Sequence, residues 1–203
     1  MSYSTSDITT MAQRLLIDID DDAYLDNMLS YLNEGQRRFA SETHCCQAAA
    51  DVTVSDNSLP YSTIIAQISG AAKVLYVAKV QLNSGTQYSF LPKAMTTEMK
   101  TLPLSTTTTP TRYSLFAEQI FFDLHPSATI SFNTTIFCSY IPSDLTAGQN
   151  LAIPDQWVQA IVQYIVYCCR VSDRDSGLAN GAFGEYEAIR AQAAAFYIAQ
   201  SGV

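Results

Sequence analysis

The apolar residues of this chain change their period twice. Over residues 1–44 they recur at helical spacing. From about 46 to 141 the composition turns to Thr, Ser, Val, Ile, Tyr and Phe punctuated by Pro and Gly, and helical spacing returns after 150. A segment patterned for one period does not settle as the other, so the switch predicts an α+β chain with strands between two helical ends. With 203 residues, 48% of them hydrophobic, the chain can bury the core of one domain with an elaboration. We expect an antiparallel four-helix frame, two N-terminal and two C-terminal helices, with an inserted antiparallel β-rich subdomain. The expected division is 1–44 and 151–203 for the helices and 45–150 for the insert.

In the first region, Ser6 or Asp7 can cap a short helix carrying Ile8, Met11, Leu15 and Leu16, and Asp21 or Asp22 a longer one. The longer helix lines up Leu25, Met28, Leu29, Leu32 and Phe39, with Gln36 as the polar member of the row. Asp26, Asn33, Glu34 and Arg37 fall on the other face. Gly35 costs about 1 kcal/mol relative to Ala in a helix interior, which points to a close crossing or a kink. Strands are predicted near Ala50–Val54, Lys73–Leu82, Arg112–Ala117, Gln119–Leu124 and Ala128–Ser139. Pro92–Lys100 reads as a short surface helix, Leu104–Thr111 as a low-complexity loop, and Asp123–Ser127 as a turn.

The last third begins a helix at Ile153-Pro154-Asp155, where a proline lacking its N–H does no harm. Its apolar face is Trp157, Val158, Ile161, Val162, Ile165, Cys168 and Cys169, which predicts the most buried helix. Ser176–Gly184 reads as a Gly-rich connection. A final helix over Glu185–Gln200 carries Tyr186, Ile189, Ala193, Phe196 and Tyr197 on one face.

Several functions are disfavoured on chemical grounds. The net charge is −8 and the Lys and Arg residues are thinly spread, so there is no basic patch to neutralise phosphates. An acidic wall would still let a polyanion pass without sticking. No apolar run approaches the roughly 18 residues of a membrane span. The first residues lack the basic and apolar regions of a signal peptide, so synthesis is expected to end in a cytoplasm. Five cysteines, two pairs of them adjacent and none in a CxxC, are expected to stay reduced.

The acidic run Asp18, Asp20, Asp21 and Asp22, followed by Asp26, is the strongest chemical motif. As a calcium loop it fails, because Ala23 stands where Gly is required and Leu29 where the bidentate Glu belongs. As a magnesium-diphosphate motif, Asp22 and Asp26 lie one turn apart but no second acidic motif follows. Helix capping accounts for these carboxylates more simply. A metal-dependent enzyme built on Asp18–Asp26 remains the alternative of a different class. His44 beside Cys45 and Cys46 lacks the second ligand pair of a zinc site, and Cys138 served by His125 lacks an orienting third group. No catalytic, cofactor-binding or metal-ligating residue is expected, and the chain is read as a structural protein and not an enzyme.

Three short motifs carry a resemblance. One is Leu32-Asn33-Glu34-Gly35-Gln36 leading to Phe39. Another runs from Phe121-Phe122-Asp123-Leu124-His125-Pro126 through Ala128-Thr129-Ile130 to Phe137-Cys138-Ser139-Tyr140-Ile141-Pro142. The third is Ile153-Pro154 opening a long helix, with Tyr186, Phe196 and Tyr197 on a closing one. In these, and in its order of elements, the chain resembles the head-to-tail adaptor (connector) proteins of tailed bacteriophages. The resemblance implies a virion protein of the neck, made in the host bacterial cytoplasm, forming a dodecameric ring between the portal protein and a tail or nozzle protein. Such a ring leaves a channel in passive contact with genomic DNA and requires no cofactor and no membrane. Another neck or tail-completion protein of the same virion is the nearest alternative. On this view Asp18, Asp20, Asp21, Asp22 and Asp26 are candidates for the channel lining or rim. Phe196, Tyr197, Gln200 and Val203 are candidates for the portal-docking end.

Overall fold

A computed structural model describes residues 2–17, 26–84, 87–97, 109–124 and 130–201, with side chains 84, 200 and 201 outside the description. The architecture is α+β, with five helices and antiparallel sheets among the described residues. The chain divides into two compact units, residues 1–46 with 141–203, and residues 47–140.

The first unit is helical. Helix α1 (Thr5–Leu15) starts at a capping box: the Ser4 hydroxyl accepts from the Asp7 N–H at 3.2 Å while the Asp7 carboxylate takes the Ser4 N–H at 2.9 Å. The cap therefore lies two residues before the expected Ser6, because Asp7 serves better as the third residue of the box. Helix α2 (Met28–Thr43) buries Met28, Leu32, Gln36 and Phe39 as the spacing predicts. Its N-terminus lies beyond the proposed capping residues Asp21 and Asp22, which fall outside the described residues. The residue at its other end, His44, adopts the left-handed conformation that closes a helix.

Asn33 departs from its expected outward position. It is buried, its Nδ2 donating to the Leu145 carbonyl at 3.0 Å and its Oδ1 accepting the Leu145 N–H at 2.8 Å. Gln36 donates to the Ser143 carbonyl at 3.1 Å. Residues 143–145 are thus fastened to α2, and the Tyr3–Thr5 segment is bonded to 149–151 through Thr5 N–H to Gln149 and Leu151 N–H to Tyr3.

A 3-10 turn (Asp155–Trp157) with Pro154 as its cap leads into α4 (Val158–Ser172), which packs on α1, α2 and α5 and is buried along most of its length. Helix α5 (Ser176–Ser201) corrects the expected Gly-rich connection: Ser176–Gly184 is helical. The turn is confined to residues before it, with Arg174 at φ 62° and the Asp175 carboxylate accepting the Leu178 N–H at 3.2 Å. An aspartate cap and the burial of Ala179 and Ala182 outweigh the glycine cost.

The second unit holds β1 (Gln47–Val54), β2 (Ser58–Pro60), a one-turn helix α3 (Tyr61–Ile65), β3 (Ala71–Ser84), β4 (Gln87–Phe90), β5 (Tyr113–Phe116) and β6 (Gln119–Phe122). Strand β7 (Phe132–Pro142) completes it and leads back to the helices. One sheet has the order β1-β7-β3-β4 and the other β2-β6-β5. Val52, Val77, Val80, Ile120, Leu124 and Ile136 belong to one buried cluster that the alternation of the strands creates. The predicted helix over Pro92–Lys100 is overturned at its start. Lys93 is extended and bridged to Tyr113, because Tyr113 donates to Pro92 and Ala94 to Tyr113; helical conformation begins at Thr96. Residues 98–108 and 125–129, which include most of the threonine loop and the His125 turn, lie outside the described residues.

Candidate functional site

The motif around Gly35 is a helix-docking site. A Cβ at Gly35 would stand 2.8 Å from Tyr164 Cδ1, so the missing side chain is what lets the α4 tyrosine lie against α2. Tyr164 then donates its hydroxyl proton to Glu34 at 2.8 Å. Further along α2, Arg38 lies 5.6–5.8 Å from the centroids of Tyr164, Phe183 and Tyr186 and pairs with Glu42 at 3.0 Å. Arg190 of α5 reaches the same Glu42 at 3.4 Å. Asn33, Glu34, Arg37, Arg38 and Glu42 of α2 therefore find partners on α4, α5 or the 143–145 segment. The motif holds helices together.

The thiols tell the same story. All five cysteines are free, and burial pushes Cys138 and Cys169 up to about 11 and Cys168 up to about 12. At neutral pH these three are protonated and poor nucleophiles. In the strand unit, burial alone would raise the Asp123 carboxyl. Bonds from Thr111 and Arg112 outweigh it and hold the pKa below its ordinary value. No group of three or more His, Cys, Asp or Glu side chains suited to a metal gathers among the described residues. No described helix is long and apolar enough to cross a membrane.

What the surface offers instead is exposed apolar area on regular elements. Strand β4 is exposed at all four positions, with Tyr88 67% and Phe90 59% accessible. Across its sheet, Asp51 of β1 faces Thr135 of β7, whose hydroxyl accepts from Asn83 of β3, which in turn faces Tyr88. The neighbouring row runs Ala49, Phe137, then Phe90, with the two phenylalanine rings 6.0 Å apart. The β5–β6 turn is unusual, since Ala117 and Glu118 both take positive φ, at 49° and 59°, where Asn and Gly are the favoured residues. It sits beside exposed Phe116 and a cleft of about 300 Å³ lined by Tyr61, Lys73 and Glu118.

On α5 the exposed positions Gly177, Gly181, Gly184, Ala188, Ala191 and Ala195 recur at spacings of four and three residues. Beyond the helix's own adjacent backbone, no described atom lies within 4 Å of a Cβ at Gly181 or Gly184.

A family model described as SU10 adaptor protein matches residues 1–201. The chain belongs to the SU10 adaptor protein family. This is a family of phage head-to-tail adaptors, so the protein is a phage structural adaptor. No curated protein matches the chain.

Of the residues singled out for SU10 adaptor contacts, Asp26 is exposed just before α2, whereas Asp18, Asp20, Asp21 and Asp22 lie outside the described residues. At the far end of α5, Phe196 is 43% accessible and its ring meets Trp157 at 6.0 Å. Tyr197 is turned inward, its hydroxyl accepting from the Trp157 indole N–H at 3.3 Å. Gln200 belongs to the last turn of α5, and Val203 lies outside the described residues. Neither β4 nor the exposed row on α5 is among the sites that the sequence predicts. Tyr88 and Phe90 alternate with polar residues, which is the local signal for a strand there, and the α5 glycines carry the pattern of a linker.

Proposed function

We propose that this adaptor assembles into a closed ring in the virion neck, dodecameric as in the proteins it resembles, seated between the portal and a tail or nozzle protein. The observation that carries the reading is the family match over nearly the whole chain. A ring of identical copies requires a heterologous contact, in which two different surfaces of one subunit meet. The exposed apolar residues on β4, at the β5–β6 turn and along α5 supply surfaces of the kind that assembly covers.

Within this reading, α1, α2, α4 and α5 act as the four-helix frame, residues 1–44 and 151–203 in the main, with the strand-rich insert over 45–150 as the second domain. The acidic residues Asp18, Asp20, Asp21, Asp22 and Asp26 line or rim the channel, where like charge keeps the genome from adhering during its passage. The end of α5, from Phe196 through Tyr197 and Gln200 to Val203, docks on the portal, with Phe196 and Ile198 giving the accessible apolar contacts. The protein performs no chemistry and binds no cofactor.

Co-assembly tests this directly. Mixed with the portal protein of its own virion and imaged by electron microscopy, the adaptor should add a second ring to the portal. Portal rings that remain bare at saturating adaptor would contradict the proposal.

A further inference from the structure

Lys73 pairs with Glu118 at 3.0 Å and Arg112 with Asp123 at 3.1 Å. Among the described residues of the unit that leaves Lys79, Lys93, Asp51 and Asp56, none in an ion pair with another described residue. Lys79 stands on β3, one strand in from the β4 edge of the four-stranded sheet, and its Nζ reaches over β4 to 5.5 Å from the Phe90 ring, whereas Lys93 is bridged to Tyr113 of β5 in the other sheet. The two aspartates belong to the opposite edge of the four-stranded sheet, Asp51 within β1 and Asp56 two residues beyond its end. Both β1 and β4 are terminal strands of that sheet, so each keeps one side without a neighbouring strand in it.

We propose that β4 of one copy pairs with β1 of the next, joining the four-stranded sheets of adjacent subunits edge to edge. The partner is a second copy of this chain, and the inference rests on the ring reading above. The faces agree. Asp51, Thr135, Asn83 and Tyr88 form one row across the sheet, Phe90 lies on the same side two residues from Tyr88, and Lys79 reaches over Phe90. In a joined sheet Lys79 therefore projects toward the face on which the neighbour's Asp51 lies. The contact uses two different edges, so it propagates in one direction and can close into a ring. Main-chain hydrogen bonds supply the adhesion, and the opposed charges set which edge meets which. Tyr88 and Phe90 become central instead of terminal in the sheet, with cross-strand neighbours on both sides.

A rival use of these charges is to keep edges apart, as lysines on edge strands commonly do. Charge reversal separates the two. The full-length chain is prepared as wild type, Lys79→Glu, Asp51→Lys, the double variant, and an equal mixture of the two single variants. Rings formed with the portal are counted by electron microscopy, and thermal melting of each protein is recorded. Each single reversal should lower ring yield by about tenfold or more, since like charges then meet at every seam.

The double variant restores opposite charges at each seam. So does the mixture, because in alternating copies the new carboxylate of the Lys79→Glu chain meets the new ammonium of the Asp51→Lys chain at one seam. At the next seam the unaltered Lys79 of the second chain meets the unaltered Asp51 of the first. Recovery in the mixture cannot come from refolding of either protein alone. Single variants that form rings as well as wild type, or a mixture that stays as poor as its components, would overturn the edge pairing while leaving the ring intact. A wild-type protein that forms no ring would remove the ring reading itself, and this inference with it.

Discussion

Gly35 and Tyr164 share one volume, and the consequence is measurable. Gly35→Ala gains about 1 kcal/mol of helix propensity but forces a Cβ against the root of the tyrosine ring, an overpacking that costs about 1–3 kcal/mol. Chemical denaturation should show a net loss of up to about 2 kcal/mol, and in a Tyr164→Ala background the same change should become neutral or stabilising. The sequence announces a close crossing or a kink at Gly35 without deciding between them, since the tyrosine that fills the space lies far along the chain on α4. Asn33 defies its outward pattern for a related reason: an amide at an outward-looking position can be buried when a backbone segment comes to meet it. Asp123 offers a second test at this scale. Folding lowers its pKa, so its contribution is present above the ordinary value of 3.8 and fades as pH falls through the lowered folded value. Asp123→Asn should cost about 1–3 kcal/mol at neutral pH, and its stability should fall less steeply than wild type's below about pH 4.

Among the elements, α5 is where sequence and structure part most clearly. Three glycines between 177 and 184 argue for a linker on propensity alone, yet Asp175 caps a helix there and α4 provides a face for Ala179 and Ala182. Gly184→Ala fills open space in a helix interior, so thermal or chemical unfolding should show a gain of about 1 kcal/mol. An unchanged or lower stability would return the segment to the linker reading. Helices α2 and α4 are legible in the sequence because their apolar periods span three or more turns. The long strands β1, β3 and β7 are legible by composition. Short elements such as β2 and α3 carry too few residues for any period to stand out, and β4, though Tyr88 and Phe90 alternate with polar residues, has no buried position to mark a face. The start of Pro92–Lys100 goes to extended structure because Tyr113 offers it backbone partners, a pairing visible only in three dimensions.

For the whole molecule, the match to the SU10 adaptor protein family makes this a phage structural adaptor. The described polar side chains around Gly35 and Asp123 are used to fasten the chain to itself. Its exposed apolar residues, by contrast, include those on β4, the β5–β6 turn and the outer face of α5, where another protein can reach them. Copies of this chain are proposed to form a ring between portal and tail. The most direct measurement is a cryo-electron-microscopy reconstruction of the neck of the intact virion, at a resolution that traces side chains. It should show this chain repeated in a closed ring with the portal on one side and tail protein on the other. A neck in which this chain is absent, or present only as isolated copies that never contact one another, would contradict it.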